Sequence, residues 1–172
     1  MKQTLKYILD YVLQSLKIAE SKHSVILALN GVILAFAVNY ISYNYAIVRY
    51  VDYLVISLCG LSILSSFFAL HARSIKLKNK AKKIQNQNLL YYHNIAILTS
   101  RELLESIKLQ YNFPKSYSFD NFDLDLASTI IANSKIVERK YQLFNKSAFF
   151  CTLAIISVFA MFLIIGATKW KK

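Results

Sequence analysis

Three stretches of this chain contain no Asp, Glu, Lys or Arg: Ser24 to Val48, Tyr53 to Ala72 and Ser147 to Thr168. Each is about 20 residues or more, the length a helix needs to cross a bilayer core of roughly 30 Å at 1.5 Å per residue. The third, containing AFFCTLAIISVFAMFLIIGA, is the most uniform, and YLVISLCGLSILSSFFAL in the second is close to it. Asn30, Asn39 and Asn44 interrupt the first, whose span reads as roughly His23 to Tyr43. More than half of the 172 residues are apolar while Gly and Pro are almost missing, more apolar surface than a soluble domain of this size can hide. The first apolar run follows some twenty amphipathic residues and closes on no small-residue cleavage site, so it does not read as a secretory signal.

Charge sets the expected topology, because Lys and Arg concentrate on the cytoplasmic side of spans. Lys2, Lys6, Lys17 and Lys22 precede the first span, and only Arg49 and Asp52 lie between the first two. The segment from Arg73 to Lys146 holds thirteen Lys or Arg against six acids. The expected arrangement is an amphipathic cytosolic helix over 1–23, then a transmembrane hairpin over 24–72 with an outer loop at about 44–52. A basic cytosolic helical region over 73–146, a third transmembrane helix over 147–168 and a basic tail over 169–172 follow. The tail then lies outside, a mild departure from the rule that Trp170, as an interfacial anchor, softens. Tyr40, Tyr43, Tyr45, Tyr50 and Tyr53 around the outer loop fit an interfacial aromatic belt.

The cytosolic parts have helical periodicity. Leu5, Leu9, Val12, Leu16 and Ala19 form one apolar stripe. Leu89, Tyr92, Ala96, Leu103 and Ile107 form a second, in a helix expected over 88–112. Ala127, Ile130, Ser134, Val137, Tyr141 and Phe144 form a third. Pro114 and the run Ser116 to Asp125 separate the last two, with Asp120 and Asp123 suited to cap the helix that follows. Neither the third stripe nor the second span meets a breaker where it joins its neighbour. The fold class expected is therefore an all-α membrane protein, with about three transmembrane helices continuous with a small cytosolic helical bundle. Such helices would carry a change in the bundle into the membrane.

Enzyme chemistry is not expected. The three glycines leave no P-loop or dinucleotide fingerprint, and no serine or cysteine sits in a nucleophile motif. His23, His71 and His93 are scattered, Cys59 and Cys151 lie in apolar windows, and neither a metal nor a cofactor is implied.

Four landmarks, in order along most of the chain, resemble the Pycsar-type transmembrane effectors of bacterial antiphage defence. In AESKHSVILALNG the small residue, acid, lysine, aliphatic run and Asn-Gly of that family correspond to Ala19, Glu20, Lys22, Ile26, Leu27, Asn30 and Gly31. FALHAR resembles the basic exit of the second span, with Ala72 where the family often has Pro. LYYHNI resembles the aromatic start of a cytosolic helix. DLASTIIANSKIVERKYQLF resembles the helix leading to the last span, with Ile136, Arg139, Lys140 and Tyr141 at matching places. The resemblance implies an effector of the bacterial inner membrane, functionally linked to a nucleotide cyclase. It would answer a cyclic nucleotide, cyclic UMP or cyclic CMP or another cyclic oligonucleotide, by disrupting that membrane, with growth arrest or death of the infected cell. Two other classes stay open: a membrane anchor docking a cytosolic partner, and a constitutive small channel.

Candidate residues each carry two readings. Lys22 faces a nucleotide phosphate or a gating acid, or snorkels at the interface. Asn30 and Gly31, with Ser57, Ser62, Ser65, Ser66 and Gly60, serve a homo-oligomer contact or pore lining, or helix packing within one chain. Arg73, Lys76 and the basic run to Lys83 anchor on anionic lipid or bind phosphate; topology accounts for this charge without nucleic acid. Tyr91, Tyr92 and His93 stack on a base or belong to a core. Arg139 and Lys140 hold phosphate or pair with acids on neighbouring helices.

Overall fold

The computed structural model describes residues 1–40, 46–72 and 88–170. Five helices account for them: α1 (Lys2–Tyr40), α2 (Ala46–Leu70), α3 (Tyr92–Ala96), α4 (Ser100–Gln110) and α5 (Asn121–Trp170), with no strand among the described residues. Parts of α1, α2 and α5 are long and apolar enough to cross a membrane, so the chain is an all-α membrane protein with three spanning helices. It divides into two compact units. One comprises Met1–Ala19 and Ala72–Tyr141, the other Glu20–His71 and Gln142–Lys172.

The long helices share one rule of burial. Along α1 the buried positions are Leu5, Ile8, Val12, Ala19, His23, Ile26, Asn30, Ile33 and Ala37. Along α2 they are Val48, Asp52, Val55, Cys59, Ser62, Ser66 and Ala69. Steps of three and four recur, averaging about 3.5 residues, the period of helices that wrap one another with a left-handed twist. In α5 the same rhythm runs through Ala127, Ile130, Ser134 and Val137, and again through Ser147, Cys151, Ala154, Met161 and Ile165. With no proline in α1 or α5 and lone glycines that a helix tolerates, nothing breaks either helix between polar and apolar halves.

Residues 46–52, expected within the outer loop, are helical and form the first turns of α2, with Val48 and Asp52 already in its buried register. One sequence expectation is corrected: 88–112 is not one helix. It is α3 and α4, divided at Thr99, whose side chain accepts from the Glu102 backbone at 3.3 Å while Glu102 Oε2 accepts from the Thr99 backbone at 2.7 Å. Thr-Ser-Arg-Glu is a capping box, a start signal that outranks the apolar stripe running through it. The second span's continuation into Arg73–Gln87, and with it the basic run, lies outside the described residues.

The first unit has a core of Leu5, Ile8, Val12, Leu89, Ile95, Leu98, Leu103, Leu104, Ile107, Ala127, Ile130, Ile131 and Val137. The link from α4 to α5 is tied to it by polar bonds. Asn112 takes a left-handed φ of 53°, and Phe113 donates its backbone N–H to Lys108 O at 3.0 Å, a helix-ending bond that favours Gly or Asn. Lys108 Nζ then donates to the carbonyls of Lys115 and Tyr117. Asp120 caps α5 by accepting from the Asp123 backbone at 2.7 Å, as its position in the sequence suggests. Lys2 reaches Asp120 at 2.8 Å, and this bond lowers the carboxyl pKa of Asp120 and raises that of Lys2. Tyr117 donates its hydroxyl to Asp123 at 2.9 Å, which pushes the phenol pKa up.

Removing the cap should cost less than hollowing the core. Thr99→Ala is expected to lower stability by about 1 kcal/mol, and Leu103→Ala by roughly 2–5 kcal/mol. Denaturant unfolding of the full chain in detergent measures both. Similar small losses would contradict the core as described.

Candidate functional site

In the second unit, the buried faces of the three spanning helices meet along a seam that is polar at one end. On α2, Ser62 and Ser66 are fully buried, as are His23 and Asn30 on α1 and Ser147 on α5. Ser62 Oγ and Ser147 Oγ lie 2.9 Å apart, Ser62 Oγ reaches Ser147 O at 2.9 Å, and Ser147 Oγ reaches Ser62 O at 2.8 Å. Short side chains permit this, since a hydroxyl held against a helix backbone meets the facing carbonyl only when two helices approach closely. Ser66 Oγ adds a contact to Ser147 Oγ at 2.8 Å. Asn30 Nδ2 joins α1 to the seam by donating to Ser62 Oγ at 2.8 Å, and also donates to Ile26 O one turn back. His23 Nδ1 meets Ser66 Oγ at 3.3 Å, and its ring sits edge-on to Phe144 at 5.7 Å. Lys22 is exposed, with its ammonium 5.5 Å from the Phe144 ring centre.

Further along the same faces the seam turns apolar. Ile33 and Ala37 of α1, Val55 and Cys59 of α2, and Cys151 and Ala154 of α5 form one cluster. Val48, Met161 and Ile165 form another. Asp52 falls on α2 between Val48 and Val55, fully buried. The polar seam, an apolar plug and a buried acid thus follow one another along one face of α2.

The oligomer and pore candidates separate in space. Asn30 faces inward, bonded to Ser62 within the chain. Gly31 is exposed, and a Cβ added there or at Gly60 would meet nothing within 4 Å. Ser57 is exposed and donates to Tyr53 O on its own helix. Gly31 and Ser57 lie on the outward side of the unit, with exposed apolar residues such as Val25, Val32, Phe36, Leu61 and Leu64, while Gly60 is half-buried.

In the first unit, Tyr91 lies about half exposed against Tyr92, with ring centres 4.9 Å apart. Tyr92 stacks on Tyr141 at 5.2 Å with the rings nearly parallel, and burial pushes its phenol pKa up. His93 Nδ1 lies 3.1 Å from Glu138 Oε2. Lys140 is 4% exposed and Arg139 is half-buried, and both are engaged with other groups. Arg73 and Lys76 lie outside the described residues. A cleft of about 340 Å³ that the sequence did not suggest is lined by Leu98, Thr99, Ser100, Ser128, Ile131, Ala132 and Lys135. Lys135 stands one turn before Glu138 and Arg139 on α5. No three His, Cys, Asp or Glu side chains come together as metal ligands among the described residues.

His23, Ser147 and Asp52 escape residue-by-residue inspection. Each would have been found by extending the buried register: His23 is four residues after Ala19 and three before Ile26, and Asp52 is four after Val48.

Polar bonds between helices in a bilayer are worth about 0.6 kcal/mol each and up to about 1.7. Ser147→Ala removes the hydroxyl on which Ser62 and Ser66 converge. It should cost about 1–2 kcal/mol in thermal unfolding in detergent, while Ser57→Ala, whose bond stays within α2, changes nothing measurable. Equal effects would mean the seam does not join the helices.

One family model, described as the Pycsar effector protein domain, matches residues 4–167. Neither the curated proteins nor the solved structures yield a match to the chain.

Proposed function

The chain belongs to the Pycsar effector family and is a membrane effector of antiphage defence, and on that premise we propose that it answers a cyclic nucleotide by opening a breach in the inner bacterial membrane. The infected cell then stops growing or dies. The observation that carries this reading is the seam of the second unit. Its three spanning helices are joined by polar bonds and small side chains, a join that is specific yet weak enough to part.

The signal enters through the first unit, which faces the cytosol with the amino terminus, as the distribution of Lys and Arg favours. Cyclic UMP, cyclic CMP or a related cyclic oligonucleotide stacks its base on Tyr91, the more open of the two adjoining tyrosine rings. Lys135, with Ser100 and Ser128 in the cleft, supplies a cation and hydroxyls for the phosphate. Because α1 and α5 each run unbroken from residues of one unit into residues of the other, a shift of either helix carries over without a joint. The protein acts as a homo-oligomer, for which open space at Gly31 and Gly60 leaves room for a neighbouring helix. It works by changing shape, without catalysing a reaction.

Membrane potential in bacteria expressing the chain, with and without an active pyrimidine cyclase, tests the reading. Depolarisation only with the cyclase is expected, whereas none in either case favours a membrane anchor and leak in both favours a constitutive channel. Tyr91→Ala should weaken nucleotide binding by about 1–3 kcal/mol if a base stacks there, measured by titration of the detergent-solubilised chain; unchanged affinity would remove Tyr91 from the site.

A further inference from the structure

Asp52 is the one acid of α2, and its side chain is fully buried with neither carboxylate oxygen hydrogen-bonded among the described residues. Its neighbours on the buried face are Val48, four residues before, and Val55, three after. Val48 packs with Met161 and Ile165 of α5, and Val55 with Ile33 and Ala37 of α1 and Cys151 and Ala154 of α5. Neither Ile33–Ala37 of α1 nor Ala154–Ile165 of α5 contains a Lys, Arg or His to pair with it. On its own helix, Arg49 is exposed one turn away and makes no ion pair among the described residues. Glu20, Lys22 and His23 of α1 and Lys146 of α5 sit several turns off, toward and beyond the polar seam.

An ionisable side chain within a spanning segment is costly and marks a functional path more often than a packing need. Nothing among the described residues around Asp52 repays its burial while the helices are together. Water would repay it, and the residues that deny it water are those of the apolar plug. We infer that Asp52 is a cation-selecting group, the carboxylate that lines the outer part of the water path once the three helices part. Hydrated there, it concentrates K⁺ and Na⁺ in the path and repels Cl⁻, as acidic rings do in cation channels. Its place two turns into α2 puts it about 9 Å along the helix from Ala46, near the outer surface in the topology proposed above. The polar seam lies at the opposite end of the plug, so Asp52 meets ions without being part of the join.

This inference rests on the proposed breach and deepens it. The test is the reversal potential of currents across a planar bilayer holding the purified full chain, under a KCl gradient, with cyclic UMP or cyclic CMP added. K⁺ should be favoured over Cl⁻ by roughly tenfold, the lower end of the enrichment a charged cleft produces. Asp52→Asn should bring the ratio to about one while currents still appear, and Asp52→Glu should keep the preference. A wild-type current favouring Cl⁻ or neither ion, or an unchanged ratio in Asp52→Asn, overturns the role of Asp52 and leaves the breach standing. If Asp52→Asn does not fold, the wild-type ratio and Asp52→Glu decide. No nucleotide-dependent wild-type current at all overturns both.

Discussion

Ser62 and Ser147 each place a hydroxyl within 3 Å of the other's helix backbone, and the arrangement of the spanning unit follows from that exchange. Inside a bilayer the usual driving force for helix association is missing, since lipid tails are as apolar as leucine. What remains is close packing and the need of buried polar groups for partners. The two serines fix how far α5 stands along α2. Asn30 then fixes α1 through Ser62, and His23 repeats the fixing one level further through Ser66. With these levels set, the apolar residues beyond them fall into contact as Ile33, Ala37, Val55, Cys59, Cys151 and Ala154 do. The 3.5-residue rhythm of burial is the visible consequence.

The magnitudes suit a switch. A handful of interhelical hydrogen bonds at about 0.6 kcal/mol apiece sums to only a few kcal/mol. The coupling free energy by which a ligand at one site typically biases another is roughly 1–3 kcal/mol. A join of that size holds three helices in one register yet lies within reach of the coupling that a ligand bound as proposed above would supply. An all-leucine seam would pack without that sensitivity, and a buried ion pair would be harder to part.

Much of this was legible in the sequence, and the parts that were not have physical reasons. The spanning helices and the continuity of α5 follow from uncharged length and missing breakers, rules that hold whatever packs against them, whereas the union of the amphipathic stretch 1–23 with the first span in one helix, α1, came from the structure. The stripes through Leu5, Val12, Ala127 and Ile130 mark core because apolar periodicity has one common use. Ser62 and Ser66 could be named as a polar face of α2 but not given partners, because a partner 81 or 85 residues away leaves no trace in local pattern. His23 and Asp52 were hidden for another reason: polar residues were weighed by type, while their meaning lay in register. The break at Thr99 shows a local signal overruling a longer one, since a satisfied capping box begins a new helix inside an apolar stripe. Lys140 is a cation that the fold buries, and local pattern does not show burial of that kind in a charged residue.

The chain carries natural reporters of the proposed parting of its three spanning helices. Cys59 and Cys151 are free thiols buried in the plug between the serine seam and Asp52. A charged, water-borne thiol reagent applied to cells expressing the protein reads their access to water, with mass spectrometry counting the adducts. Little labelling without a cyclase, and labelling of both thiols that rises with depolarisation when an active cyclase is present, is the result predicted. Depolarisation with both thiols still unlabelled would contradict it, because the membrane would then have been breached while the seam stayed shut.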